Sequence, residues 1–298
     1  MVKMNFAAQE VLEAHRELTE LPLALNNARE LGGITLRDGR HVRRGLLLRT
    51  TRLFEAGEED LRRLREEYHV SLILDMRDES EISATPDPNI RGAKWVHVPI
   101  IDFAFMRASM AAKLQGHRDE MPDVGPEKFS KEKVLEHMLA VARSSGPNDA
   151  GLGDAYASYL DGPLGREKLG LFFHELAALE SGAALWHCRT GKDRTGIAAG
   201  LILEVLGADW ETIAVDYETS NLFFQPEIAA MEELLRSKGV EEELIAPICG
   251  FEGVYRPMLK KAWTYMDENW GGAIGYLKGA CGVSEEELEI LRARYIEE

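Results

Sequence analysis

Cys188 and Arg194 stand six residues apart in the segment HCRTGKDRTG, which covers residues 187–196. A short loop between them can curl so that successive backbone N–H groups point to one centre beside a helix N-terminus, and such a centre binds anions. The same positive potential favours the thiolate of Cys188, the nucleophilic form of cysteine. Arg194 adds a planar guanidinium that can hold two phosphate oxygens. The spacing therefore predicts nucleophilic attack by cysteine on bound phosphorus.

The other residues of this segment fit tasks in the same loop. Gly191 permits a bend or a close approach that a side chain would obstruct, and Gly196 lets the following helix pack closely. Thr195 places a hydroxyl near Cys188, where a bond to sulfur would stabilise a departing thiolate. We assign phosphate binding to the loop positions Arg189, Thr190, Gly191, Lys192 and Gly196.

Two other loop types also place a reactive or basic residue after a strand. A nucleotide-binding P-loop requires glycine at position 186 and Ser or Thr after its lysine, but the chain has Trp186 and Asp193 there. A rhodanese-like sulfurtransfer loop is disfavoured by the run Arg194, Thr195 and Gly196 at the helix start. Both alternatives are therefore weaker than phosphoryl transfer.

The elements that must position the loop alternate between strands and helices. Four short apolar runs predict buried strands, and they lie at residues 45–49, 70–75, 94–100 and 183–187. Leu61, Leu64 and Tyr68 mark one helix, and a helical face over residues 169–179 predicts a second helix ending at Gly182. The alternation predicts an α/β fold with a central sheet flanked by helices.

The chain after the last strand is predicted to be helical. Residues 195–206 are apolar on nearly all sides, as in a helix at the centre of a domain, and Gly207 suits its C-terminal cap. Ser284 and Glu287 form a capping box before a final amphipathic helix. We expect one domain over residues 1–298. Within it, 103–151 and 225–250 are candidate insertions, either of which could form a lid over the site.

Composition restricts the classes of partner and the compartment. The formal net charge of −16 argues against binding to nucleic acid or to an anionic membrane surface. Three cysteines without a CxxC pair favour neither disulfides nor a thiolate zinc site, and they fit a reducing cytoplasm. No apolar run is long enough to span a membrane, and no leader is recognisable, although export without one stays open. No metal or cofactor site is expected.

The segment HCRTGKDRTG resembles the signature of the protein tyrosine phosphatase superfamily. The surrounding chain resembles the atypical bacterial tyrosine phosphatases that also act on phosphoinositides, in particular over residues 26–53, 72–81, 216–221 and 270–292. This resemblance implies a tyrosine-phosphatase-like fold with helical insertions near the active site. It also implies metal-independent cleavage of phosphate monoesters through a phosphocysteine intermediate.

The reaction needs a general acid to protonate the leaving oxygen. Asp193 resembles the loop acid of the bacterial group and of myotubularins, and Asp102 resembles the separate acid of dual-specificity phosphatases. Asp75 ends a predicted strand and could also face the site, although an ion pair with Arg77 or Arg49 is the alternative. We rank Asp193 first, Asp102 second and Asp75 third.

The substrate class depends on the two loop cations. Arg189 and Lys192 stand where tensin-type lipid phosphatases carry two lysines, which would favour substrates with more than one phosphate. In the alternative, Lys192 offsets Asp193 and Arg189 points to solvent. We expect a protein tyrosine phosphatase, or one of dual specificity, whose partners are phosphorylated proteins. A phosphoinositide or inositol-phosphate phosphatase is the alternative, and a phosphate-binding pseudoenzyme is disfavoured by the intact nucleophile.

Overall fold

The computed structural model describes residues 6–101 and 152–298, and between them only residues 135–136, 138–140 and 142–143. Asp102 and most of the candidate insertion 103–151 lie outside the described residues.

A five-stranded mixed sheet forms the centre of the fold, in the order β1-β3-β6-β4-β5. Strands β3, β6, β4 and β5 run parallel to one another, whereas β1 pairs with β3 in the antiparallel sense. A separate two-stranded sheet pairs β2 with β7. The described strands are β1 Arg29–Glu30, β2 His41–Val42, β3 Leu47–Thr50, β4 Val70–Asp75, β5 Lys94–His97, β6 Ala183–His187 and β7 Ile296–Glu297.

The register of the central strands brings three chain segments together at one edge of the sheet. His187, the last residue of β6, lies opposite Thr50 on β3 and opposite Asp75 on β4. All five residues of β6 are buried, as expected for a strand covered on both faces. Cys188 therefore emerges at the carboxyl edge of the sheet, between the ends of its two neighbouring strands.

Helices cover both faces of this sheet. Alternate strand residues belong to different apolar clusters: Leu72, Leu74 and Trp186 join the cluster that contains the helix starting at Asp193, and Ile73 joins the opposite one. The described helices are α1 Gln9–Thr19, α2 Glu58–Glu66, α3 Glu79–Ala84, α4 Leu152–Asp161, α5 Pro163–Ala178, α6 Asp193–Leu206, α7 Trp210–Thr219, α8 Gln225–Ser237, α9 Glu242–Cys249, α10 Arg256–Trp270, α11 Ala273–Gly279 and α12 Glu285–Tyr295. None of them is long and apolar enough to cross a membrane.

The predicted α/β class is confirmed, and its central elements are placed closely. Strands β4 and β6 have the predicted bounds, and α6 is buried along its length with Gly207 as a left-handed C-cap. The capping box of Ser284 and Glu287 is also present. The predictions at 45–49 and 94–100 need correction, because these strands occupy Leu47–Thr50 and Lys94–His97.

Two helical boundaries also differ from the sequence prediction. Helix α5 ends at Ala178 rather than at Gly182, and Gly182 instead supplies a turn with φ of +78° before β6. Residues 225–250 contain two helices, α8 and α9, where one was expected. The assignment of a single domain with a lid stays a prediction.

Candidate active site

The turn between β6 and α6 forms the core of the candidate site. Cys188 directly follows β6 and is 1% exposed, and α6 begins five residues later at Asp193. Gly191 has φ of +70°, and a Cβ at this position would lie 2.4 Å from the carbonyl oxygen of Thr50. Only glycine fits both this backbone conformation and this approach to β3. The strand, loop and helix order predicted from the spacing is therefore present.

Two buried side chains fix the orientation of the Gly191 peptide. Its carbonyl oxygen accepts hydrogen bonds from Arg49 Nη2 and Asn27 Nδ2, both at 2.9 Å. In a trans peptide the C=O and the following N–H point in opposite directions. The N–H of Lys192 is therefore turned away from this buried side, which is one of the orientations that an anion-binding loop requires.

Asp216 is the centre of the buried cluster behind the loop. Its two carboxylate oxygens contact Arg29 Nε at 3.1 Å and Arg49 Nη1 at 2.5 Å, and His15 Nε2 lies 3.4 Å away. Burial opposes the charge on Asp216, but the two guanidinium groups hold its pKa well below the usual range. Arg29 also bonds the carbonyl oxygen of Asp216 and the hydroxyl of Ser220. This cluster connects α7 to β1, β3 and the loop.

Arg194 is held by a side chain from helix α3, which follows strand β4. Its Nη1 and Nη2 donate to the two carboxylate oxygens of Glu81 at 2.6 and 2.9 Å, and Nη1 also contacts the carbonyl of Met76 at 3.2 Å. Burial opposes the charge on Arg194, but Cys188 and Glu81 raise its pKa above the ordinary value. Burial would raise the pKa of Glu81, yet the bonds from Arg194 lower it to about 2. The paired forks fix the plane of the guanidinium.

Asp193 and Lys192 interact with each other at the start of α6. Lys192 Nζ lies 3.1 Å from Asp193 Oδ2 and donates to the carbonyls of Phe251 and Gly253 at 2.8 and 2.7 Å. Tyr156 donates a hydrogen bond to Asp193 Oδ1. Lys192 is 6% exposed, so its contacts match the alternative in which this lysine offsets Asp193.

The remaining loop residues differ in their burial and in their contacts. Thr195 Oγ1 is buried and has no hydrogen-bond partner among the described residues, so its donor is available to a group at the site. A Cβ on Gly196 would lie 2.9 Å from the ring of Tyr217, which explains the need for glycine there. Arg189 is exposed, and its carbonyl accepts from the hydroxyl of Thr51 at 2.8 Å. Thr190 is half-buried in the same turn.

Asp75 lies in a second charged cluster at the end of β4. Arg77 Nη2 donates to Asp75 at 2.7 Å and to Asp87 at 2.6 Å, and His187 Nε2 lies 3.2 Å from Asp87. Burial raises the pKa of Asp75, but the bonds from Arg77 outweigh it and the net shift is downward. Asp75, Asp87 and His187 have ligand atoms close enough to share a metal ion. However, Arg77 already occupies both carboxylates, and this arrangement matches the ion-pair alternative for Asp75.

Several residues of the site were not found from the sequence. Glu81 lies in the segment LILDMRDESE, where Asp78 and Glu81 form a capping box for α3, and that box was its available signal. Asp216 begins DYETSN, which indicated a likeness but no contact. The other missed residues are Asn27, Arg29, Tyr156 and Tyr217.

These features define an α/β protein with a cysteine and an arginine at the two ends of a glycine-containing loop between a central strand and a buried helix. Residues 22–297 match the family model described as the tyrosine phosphatase family, so the chain belongs to that family. It is a phosphatase of the tyrosine-phosphatase type, with a phosphorylated substrate.

Two named relatives agree with this assignment. The tyrosine-protein phosphatase of Nostoc commune is 30% identical over 227 residues, which are 76% of this chain and 66% of that protein. The triple specificity protein phosphatase PtpB of Mycobacterium tuberculosis is 26% identical over 273 residues, which are 86% of this chain and 91% of that protein. The chain thus spans just under two thirds of the Nostoc protein.

Proposed function

We propose that this chain hydrolyses phosphate monoesters on proteins, phosphotyrosine above all, through a phosphocysteine on Cys188. The observation that carries the proposal is the position of Cys188 at the end of the central strand, across a short loop from an arginine whose plane is already fixed by Glu81. A guanidinium held in this way can grip two phosphate oxygens and follow them into the transition state.

The reaction consists of two displacements at phosphorus. In the first, the sulfur of Cys188 attacks phosphorus, the ester P–O bond breaks, and Asp193 gives its proton to the leaving oxygen. In the second, water attacks the phosphocysteine, Asp193 takes a proton from that water, and the P–S bond breaks to release phosphate. Thr195 donates to the departing thiolate, which its unpartnered buried hydroxyl supports.

Asp193 remains the proposed acid among the three candidates. It lies in the loop next to Arg194, and its side chain is partly exposed, so a substrate oxygen can reach it. Asp75 is fully buried and bonded to Arg77, which disfavours a protonated carboxyl there. Asp102 lies outside the described residues and keeps its second rank.

The substrate-binding assignments rest on the loop backbone around Thr190, Gly191 and Gly196 together with Arg189. The relative from M. tuberculosis is named for triple specificity, and Arg189 is an exposed cation directly after the nucleophile. The name of the relative supports more than one class of substrate, and the exposed cation supports phosphoinositides as the second candidate, whereas Lys192 is engaged elsewhere. We also propose a cytoplasmic location, metal-independent turnover and no nucleic-acid partner, on the grounds of cysteine use, loop chemistry and net charge.

The nucleophile is tested by Cys188→Ser, with Cys281→Ser as the matched control because Cys281 is also buried but lies on a C-terminal turn. We expect Cys188→Ser to bind phosphate without turnover of aryl phosphates, and the control to stay within about threefold of the parent, since serine is a far weaker nucleophile than a thiolate. Assays include EDTA. Turnover by Cys188→Ser, or activity that EDTA removes and a metal restores, would contradict the proposal.

The substrate class is tested by a panel of phosphopeptides and phosphoinositides, compared by kcat/KM. We expect phosphotyrosine peptides to be the better substrates. A preference for phosphoinositides that Arg189→Ala removes would favour the second candidate.

A further inference from the structure

Two buried tyrosine hydroxyls form a chain that ends on Asp193. Tyr156 on α4 donates to Asp193 Oδ1, and its oxygen lies 2.8 Å from the hydroxyl oxygen of Tyr217 on α7. The two side chains are 3% and 1% exposed, and their rings meet edge to face with centroids 6.4 Å apart. These two hydrogen bonds therefore lie in a closely packed part of the core from which solvent is excluded, beside the exposed edge of the site.

The direction of these two hydrogen bonds follows from the number of protons available. Each phenol has one proton. Tyr156 uses its proton in the hydrogen bond to Asp193, so its oxygen must accept the hydrogen bond that Tyr217 donates. Burial, with Asp193 close by, raises the pKa of both phenols well above the ordinary value, so both stay protonated at neutral pH. Oδ1 of Asp193 is thereby kept as an acceptor.

Other charged and titratable groups face Asp193 from the surrounding elements. Lys192, from the loop itself, contacts Oδ2 at 3.1 Å and Oδ1 at 3.4 Å. Tyr159, one turn after Tyr156 on α4, also interacts electrostatically with Asp193, and it senses Arg194 and Cys188 as well. Tyr156 differs from these groups because its bond is directed at one oxygen only. That selectivity can distinguish the two oxygens of an acid.

We propose that Tyr156, supported by Tyr217, is a positioning residue for Asp193: it reserves Oδ1 as an acceptor and leaves Oδ2 to carry the proton exchanged with the leaving oxygen. This inference rests on the proposed function of Asp193. The carboxyl group of an aspartate can rotate about its last torsion, and the fixed donor on Oδ1 limits that rotation. The proton on Oδ2 is then presented in one direction.

The test is Tyr156→Phe, compared with Tyr276→Phe. Tyr276 is also a fully buried tyrosine, and its hydroxyl donates to the carbonyl of Leu160 at 2.8 Å, so this bond also ends on helix α4. The same hydroxyl has a second partner in Cys281. Each variant therefore removes a buried hydroxyl with two partners at helix α4, in one case at Asp193 and in the other away from it. The folded fraction of each variant is checked by thermal unfolding, and rates are expressed per folded enzyme.

The measurement is kcat/KM for a series of aryl phosphates, because kcat/KM includes only the steps up to the phosphocysteine. A general acid contributes about 10² to 10⁴ in rate, and loss of its orientation should forfeit part of this. We expect Tyr156→Phe to lower kcat/KM about tenfold for phenyl phosphate and less than about twofold for 2,4-dinitrophenyl phosphate. The control, Tyr276→Phe, should leave kcat/KM unchanged for both aryl phosphates.

The pH profile supplies a readout that a merely structural role would not move. A hydrogen bond donated to a carboxylate favours its charged form. Its removal should therefore move the alkaline limb of kcat/KM with phenyl phosphate to higher pH. An unmoved limb, or an equal loss with both leaving groups, would overturn the inference.

A second variant keeps the inference testable if Tyr156→Phe does not fold. Tyr217→Phe leaves Tyr156 in place and removes the hydrogen bond to the Tyr156 oxygen, so the same changes are expected at a smaller size. Wild-type rates with unchanged leaving-group dependence in Tyr217→Phe would then count against the inference. Cys188→Ser separates failure of the proposed function from failure of this inference. Residual turnover in Cys188→Ser would contradict the phosphocysteine mechanism, regardless of the results for the tyrosine variants.

Discussion

The front and the back of the phosphate loop are held by two different kinds of ion pair. At the front, Arg194 and Glu81 form a one-to-one pair whose side chains are 10% and 16% exposed. At the back, Asp216 is shared by Arg29 and Arg49, and none of the three is more than 1% exposed. An arriving phosphate can compete for the front pair but has no access to the back one. The back cluster therefore sets the shape of the loop, and the front pair sets the orientation of its charge.

The two pairs also differ in net charge. Glu81 cancels the charge of Arg194, whereas one carboxylate at the back faces two guanidinium groups and leaves an excess of one positive charge. Burial lowers the pKa of Arg29 only to about 10, so this excess persists at neutral pH. In a chain with a formal net charge of −16, the excess supplies a local positive potential directly beneath the anion loop.

The largest effect is expected from Asp216→Asn, which removes the shared carboxylate at the back. Two buried arginines are then left without their counter-ion, and breaking a buried pair in this way costs about 3 to 5 kcal/mol. Urea unfolding at neutral pH measures the loss, with Glu59→Gln as control because Glu59 pairs with Arg62 and Arg63 in solvent. A loss as small as the control's would mean that the back cluster does not support the fold.

The next effect is expected from Arg194→Lys at the front. Lysine keeps the charge but loses the planar fork, and removal of one preorganised transition-state donor costs about 10² to 10³ in rate. The measurement is kcat/KM with an aryl phosphate, and the unfolding midpoint should change little. Arg65→Lys is the control, because Arg65 is an exposed arginine on α2 that pairs with Glu66, and its rate should stay near the parent's. A rate for Arg194→Lys within a few-fold of the parent would place this arginine away from the reacting phosphate.

The smallest effect is expected from Glu81→Gln, and it depends on pH. The pKa of Glu81 is about 2 in the folded chain against an ordinary 4.5, so its charge stabilises the fold above pH 4.5 and this contribution is lost as pH falls through about 2. The difference in unfolding free energy between parent and variant should therefore shrink on acidification. Glu79→Gln, an exposed change on the same helix, serves as control. A difference in unfolding free energy that stays constant with pH would contradict a stabilising role for the charge on Glu81.

Separation along the sequence explains which parts of the site could be predicted from the sequence. Cys188, Gly191 and Arg194 follow one another within a single turn, so their spacing alone indicates a loop that binds phosphate. Glu81 lies 113 residues from Arg194, and no local pattern connects the two. The α/β class followed from the alternation of apolar runs, whereas the two-residue strands β1, β2 and β7 are too short to have a period. Residues that support a site from a distance need the fold to be known first.

The long separations in the loop's supports have a consequence for the order of folding. Asn27, Arg49, Glu81 and the carbonyls of Phe251 and Gly253 all contact the segment from Gly191 to Arg194, across sequence distances of up to 164 residues. Contacts that close such large loops form slowly, because their entropy cost is met before they are rewarded. The anion loop is therefore completed only when most of the described chain has folded. During refolding, enzymatic activity should return after the bulk of the secondary structure.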